Sequence, residues 1–421
     1  MRPFVVGVVL VFGGGAASPS FAYSILTHES VIDRVWESDL RPVLVERYPE
    51  LTEDDLLRAR AHAYGGSLIQ DLGYYPSSNR LFTDLTHYVR SGAFVRNLLD
   101  EAEDADQYAF ALGALAHYVS DTVGHPRAIN LSVAIYSPRL ERKYGSSVTF
   151  EESPRTHIRT EFGFDVVEAV LGRFAPRAFH DFVGFQVARP VLDRAFARTY
   201  GLDLGVLLGD EDRAIRSYRH TASDLFPRLT EVAWLTKKDE ILRLAPDTRR
   251  ESFVYRPGRG EYEREFGSDY VRPSLFKRFL ALLYRLIPKI GPLKTLAFKT
   301  ATPETRKLLE ESLDRTVLRY RGLIRQAAAG SLVLDDRDLD TGAPVAWGES
   351  GITRRTYARL LEELAKGGFR DVPDGLRADV IAYFDGGDGA PPPRTKAKEW
   401  RQTLARLEQL KGTRTGSAGR D

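Results

Sequence analysis

Cysteine is absent from this chain of 421 residues, and methionine occurs once. The fold is therefore not held together by disulfides, and any metal site must be built from nitrogen and oxygen ligands. Excess charge is missing too: the formal net charge is only +2, so no bulk electrostatic case for nucleic acid can be made. Long apolar runs are lacking. The best of them, Phe4 to Phe12, falls well short of the roughly twenty residues that span a bilayer. No stretch alternates convincingly as a strand, and no internal repeat is visible. What remains is an ordinary hydrophobic share of 43%, enough for a sizeable core. The length exceeds one average domain, so one large helical core with appendages and two domains are both open.

Residues 1–22 read as a secretory signal. Arg2 supplies the positive start, Phe4 to Phe12 the apolar segment, and Ser20-Phe21-Ala22 the small-x-small cleavage pattern. Cleavage after Ala22 predicts export, to a periplasm or to the medium, and a new N-terminus at Tyr23.

The mature chain reads as all-α. Ser30 to Tyr48 carries Val31, Ile32, Val35, Trp36, Leu40, Val43 and Leu44 at helical spacing. Thr52-Glu53-Asp54-Asp55 predicts an N-cap followed by acids in the first turn of a helix over 52–64. Helices are expected over Phe94–Asp100 and Gln107–Val123, with loops at Gly65-Gly66, Gly73–Asn79 and Gly145–Pro154. Residues 23–240 form the expected main domain. A C-terminal helical region follows over 241–385, with helices predicted at 304–329 and 353–385. Residues 386–421 are expected to be a largely disordered basic tail, apart from a short helix at Lys396 to Leu410.

The chain has eight histidines, and five fall in segments shared with, or close to, carboxylates: His28, Gln70-Asp71, Thr86-His87, His117 with Asp121, Gly124-His125-Pro126, and His157 with Glu161. His117 and Asp121 lie four apart, as do His157 and Glu161, so each pair shares one helix face. Such a pair alone is common on helix surfaces; two pairs together with His28, Asp71 and His87 are not. His125 is placed at or just past a helix end by its Gly and Pro neighbours. The amine and carbonyl of Tyr23, freed by cleavage, would add a chelate beside His28. Imidazoles and carboxylates without cysteine are the donors of catalytic zinc, which makes hydroxide at neutral pH.

These residues resemble the zinc-dependent phospholipase C family and the related P1/S1-type nucleases. The resemblance covers roughly residues 23–170. It implies an all-helical fold, three zinc ions, and Tyr23, His28, Asp71, His87, His117, Asp121, His125, His157 and Glu161 as ligands. Asp71 would also position the nucleophilic water, and Asp121 would bridge two zincs. The chain departs from the family at Tyr23, where tryptophan is usual, and at His125, which follows Asp121 by four positions rather than six. The aromatic and acidic positions of a choline site are not found: Leu72 follows Asp71, and Asp84 precedes His87 by three. The resemblance implies phosphodiester hydrolysis, with a phospholipid giving diacylglycerol and a phosphorylated headgroup.

His62, His180 and His220 read as structural or surface residues. Asp165 is four residues beyond Glu161 and is expected to orient a ligand. Arg127, Asn130 and Arg159 are candidates to hold a phosphate. The segment 272–299 is basic and amphipathic, with Arg272, Lys277, Arg278, Arg285, Lys289, Lys294 and Lys299 set among leucines and phenylalanines. It suits either an anionic membrane surface or a solvated face of a packed helix. Besides the phospholipase reading, two alternatives stand: a nuclease or nucleotide phosphodiesterase on the same cluster, with Tyr74, Tyr75, Tyr88 and Tyr118 as base platforms, and a non-catalytic metal-binding surface protein.

Overall fold

The computed structural model describes residues 25–75, 77–171, 185–220, 301–387 and 395–413, together with a few isolated positions. The expected signal at 1–22, Tyr23, His180 and the basic segment 272–299 lie outside the described residues.

The fold is all-α: every regular element among the described residues is helical, and the one isolated bridge joins Arg337 and Pro344. Helix α1 (Ile25–Val35) passes through a π turn, Trp36–Leu40, into α2 (Arg41–Arg47), so the continuous helix expected over 30–48 is re-registered at its middle. Helix α3 (Glu53–Gly66) starts at the expected cap: Thr52 Oγ1 accepts from Asp55 N while Asp55 accepts from Thr52 N, leaving neither end group unsatisfied. A 3-10 turn, Ile69–Tyr74, leads to α4 (Arg80–Tyr88), α5 (Ser91–Asp100) and the long α6 (Ala105–Gly124). A second π turn, His125–Ile129, continues α6 into α7 (Asn130–Tyr136) and α8 (Pro138–Tyr144), and α9 (Pro154–Leu171) follows. Helices α10 (Arg189–Tyr200), α11 (Leu204–Leu208) and α12 (Glu211–His220) precede the C-terminal set: α13 (Pro303–Ala328), α14 (Gly351–Lys366), α15 (Asp374–Asp385) and α16 (Ala397–Gly412). No helix among the described residues is long and apolar enough to cross a membrane.

One contiguous apolar cluster runs from Ile25 to Leu410 and includes residues on both sides of position 240. Helix α13 lies against α6, where the Tyr320 hydroxyl donates to the Leu112 carbonyl at 2.7 Å. The expected loop at Gly65-Gly66 is corrected: both residues are the last turn of α3. Gly65 packs against the Gln186 backbone, and Gly66 is glycine because α3 and α6 touch backbone to backbone. A Cβ on Gly66 would sit 2.0 Å from the Phe110 carbonyl oxygen, and one on Gly113 would sit 2.1 Å from that of Ala63. The short helix expected at Lys396 to Leu410 is present as α16, Ala397–Gly412. Trp400, Leu407 and Leu410 are buried, and the Trp400 ring lies 6.0 Å from those of Trp347 and Phe384. An amphipathic face outweighs the basic composition there.

Candidate metal centre

The α3–α6 contact sets the floor of the site. With the two backbones this close, the Ser67 carbonyl accepts from His117 Nδ1 at 2.9 Å, and Gln70 Nε2 donates to the Ala114 carbonyl at 2.9 Å. The 3-10 turn holding Asp71 is tied to α4 through Thr83, whose hydroxyl donates to the Gln70 carbonyl and accepts from Gly73 N. One turn along α4, the Thr83 carbonyl accepts from His87 Nδ1 at 3.0 Å. His87 and His117 thus each spend Nδ1 on a backbone carbonyl and turn Nε2 inward, the arrangement that fixes a metal-binding tautomer.

Three groups of ligand atoms result, each closed within 4.8 Å: His28 with His117 and Asp121; Asp71 with His87 and His117; and His125 with His157 and Glu161. Asp121 stands at the centre. Its carboxylate lies 3.1 Å from His117 Nε2, 3.4 Å from His87 Nε2, 3.5 Å from His28 Nε2 and 3.9 Å from His125 Nε2. Asp71 is 3.4 Å from His87 Nε2. The His28 and His117 rings stack at 4.5 Å, and His125 and His157 at 4.9 Å. Every one of these side chains is buried.

Both oxygens of Asp71 and of Asp121, Glu161 Oε2 and His125 Nε2 are buried without a hydrogen-bond partner. Orphaned carboxylates at this depth are costly, and a divalent cation is what satisfies them. Several imidazoles with carboxylates and no sulfur fit zinc. Without a cation, protons must balance the charge. Burial pushes Asp71 up to about 6, partly offset by His117 and His87. Burial also raises Glu161 well above the usual carboxylate range, helped by Asp71 and Asp121. For His117 burial pulls down, but the attraction of the Asp121 carboxylate outweighs it and holds the imidazole at about 9. Burial resists charge on Asp121 as well, yet His117 and its neighbours keep it well below its ordinary value.

All the expected side-chain ligands converge: His28, Asp71, His87, His117, Asp121, His125, His157 and Glu161. The unusual spacing of His125 has a local cause. It opens the π turn that continues α6 without a break, so it stays one turn below Asp121 on the same face. Asp165, expected to orient a ligand, accepts from Leu26 N, Thr27 N and the Thr27 hydroxyl, anchoring the start of the helix that carries His28. His62 lies outside the cluster, with Nδ1 on the Arg58 carbonyl and Asp106 at 3.6 Å. Asn130, expected as a phosphate holder, is tied instead to His157 Nε2 at 2.7 Å. Arg127 lines a hollow of about 630 Å³ with Arg315, Arg319 and Arg337, and no histidine lines it.

One participant was not foreseen. Asp340 is buried, and its Oδ1 lies 3.0 Å from His125 Nδ1 and 3.4 Å from His157 Nε2. The stretch Asp335-Asp336-Arg337-Asp338-Leu339-Asp340 is visibly acidic in the sequence, but no periodicity tells which acid turns inward.

Residues 27–204 match the family model described as zinc dependent phospholipase C. No curated protein and no solved structure matches the chain. The match spans all the converging side-chain ligands, from His28 to Glu161. The comparison therefore supports a zinc-dependent phospholipase C family domain over these residues.

Proposed function

We propose that this protein hydrolyses the phosphodiester of a phospholipid, releasing diacylglycerol and a phosphorylated headgroup. The observation that carries the reading is the central Asp121 carboxylate, within 4 Å of imidazole nitrogens from His28, His87, His117 and His125. Structural zinc sites are closed, four-coordinate and rich in cysteine; this cluster has more donors, several of them carboxylates, and no sulfur.

His28, Asp71, His87, His117, Asp121, His125, His157 and Glu161 would hold the zinc, with the N-terminal amine of Tyr23 completing the set if the signal is removed. Zinc held there supplies Lewis-acid polarisation of a phosphoryl oxygen and lowers the pKa of water to about 7. Asp71 orients the attacking water and takes its proton; its carboxylate has both oxygens uncommitted and His87 beside it. The backbone carbonyls of Ser67 and Thr83 keep His117 and His87 in one orientation throughout. Burial keeps bulk water from screening the charge that develops at phosphorus. We also propose export by way of residues 1–22, which would place the enzyme outside the cytoplasm.

The test is a side-by-side assay of the purified protein on phospholipid vesicles and on single-stranded DNA, with and without chelator. Chelator-sensitive release of diacylglycerol from vesicles is expected. Cleavage of DNA with vesicles untouched would replace this reading with the nuclease one, and Tyr74, whose ring meets His87 edge-on at 6.4 Å, would then be the first candidate platform. Zinc uptake with neither reaction would leave a metal-binding protein without catalysis.

A further inference from the structure

We propose that Asp340, outside the family-matched residues 27–204, is a positioning residue of the metal centre that sets His125 and, through its backbone, His157 for one zinc. The inference rests on the zinc reading above, but not on which phosphodiester is cleaved.

The loop that delivers Asp340 is built for one conformation. Asp338 Oδ1 accepts from the backbone N–H groups of Asp340 and Thr341 at 3.0 and 3.1 Å, and its Oδ2 accepts from the Thr353 hydroxyl at 3.2 Å. Arg337 donates to the Gly342 carbonyl at 2.7 Å. Gly342 has φ +69, and a Cβ there would sit 2.5 Å from the Thr122 carbonyl oxygen, so the loop lies directly on the end of α6. Leu339 N donates to the His87 carbonyl at 3.1 Å. The loop therefore touches two of the ligand-bearing helices through their backbones, and reaches the π turn and α9 through the Asp340 side chain.

What Asp340 does there follows from donors and acceptors. Its carboxylate accepts from His125 Nδ1 at 3.0 Å and from Phe150 N at 2.9 Å. With its proton on Nδ1, His125 keeps Nε2 as a lone-pair donor. That nitrogen is buried, without a hydrogen-bond partner, and points towards Asp121. The second histidine is set through Asn130. The Asn130 amide nitrogen donates to the Asp340 carbonyl oxygen at 2.9 Å, so the amide oxygen must be the atom facing His157 Nε2 at 2.7 Å. An oxygen there requires the proton on Nε2, which leaves Nδ1 as a lone pair beside Glu161 Oε1 at 2.7 Å. Both histidines of the third ligand group are thereby held in their metal-binding tautomers by one residue. Carboxylate partners of this kind typically change metal affinity by about 10–100-fold.

The experiment measures zinc, not turnover. Full-length metal-free wild type, Asp340→Ala and Asp340→Asn are titrated with zinc against a competing chelator, and bound zinc is counted after dialysis. Asp340→Ala is expected to bind one zinc about 10–100-fold more weakly and to lose it on dialysis, with the remaining zinc bound as in the wild type. Asp340→Asn keeps an oxygen acceptor at the same place, so it should fall between the two. A folded Asp340→Ala protein that holds all its zinc at wild-type affinity overturns the proposal. So does a uniform weakening of every zinc that tracks a loss of thermal stability, since that is how a mere structural prop behaves. If Asp340→Ala does not fold, Asp340→Asn decides, because equal affinity in that variant also overturns the assignment. Wild-type protein that takes up no zinc removes the metal centre itself, which separates that failure from this one.

Discussion

Asp165 clamps Thr27: one carboxylate oxygen accepts both the Thr27 backbone N–H, at 3.0 Å, and its hydroxyl, at 2.8 Å, while the other accepts from Leu26 N at 3.1 Å. The start of α1 is thus fixed to α9 one residue before His28. Buried N–H groups at a helix start have no intrahelical partner, and a carboxylate is favoured there by the helix dipole as well. Asp165→Ala should destabilise the protein by about 3 kcal/mol, because three buried donors lose their acceptor together. It should also weaken the zinc held by His28. Urea unfolding and zinc content read the two effects, and an unaltered midpoint would remove the clamp from the account.

Asp71→Asn separates catalysis from metal holding. The amide keeps an oxygen for zinc but cannot take a proton, so turnover should fall by about 100-fold or more while bound zinc stays the same. Unchanged hydrolysis in this variant would exclude Asp71 as the base.

The α3–α6 contact predicts opposite outcomes for two Gly→Ala changes. Gly66→Ala places a methyl 2.0 Å from the Phe110 carbonyl oxygen, and the helices must separate beneath His117. A loss on the order of 3 kcal/mol is expected, with weakened zinc binding. Gly322 lies in α13 with nothing within 4 Å of an added Cβ, so Gly322→Ala should gain about 0.5–1 kcal/mol. Thermal denaturation of both variants checks this, and similar shifts of one sign would sink it.

Asp379 offers a pH test away from the zinc. Burial pushes its carboxyl up to about 6, against the opposing pull of the Tyr357 hydroxyl and Arg90. The unfolded chain releases this proton near pH 4. Between those values the native state holds a proton the unfolded state has lost, so stability falls as pH rises and the full penalty is present above about 6. Asp379→Asn keeps an acceptor for the Tyr357 hydroxyl, now at 2.9 Å, without the buried charge. It should raise stability at pH 8 by about 2 kcal/mol and change it little at pH 4. A larger gain at the acid end would refute the assignment.

Much of the site was legible because its spacing is local. His117 with Asp121 and His157 with Glu161 share helix faces by geometry alone, and the Thr52 cap announces α3 within four residues. The misreadings have a common cause. Gly65-Gly66 looks like a helix stop until the backbones of Gln186 and Phe110 arrive against it, and Asp340 is one acid among several until His125 meets it. In each case the deciding partner is distant in sequence.

By itself, the amino-acid order determined the helical class, the candidate donors of a metal centre and the chemistry such donors permit, since 3.6-residue periodicity and side-chain type are written in neighbouring residues. Only the tertiary structure decided which acids serve the histidines. Asp165 anchors Thr27, next to His28, and Asp340 enters from a loop far along the chain. Second partners of this kind are chosen by burial and by hydrogen-bond direction in three dimensions, and neither quantity has a period that a sequence can display.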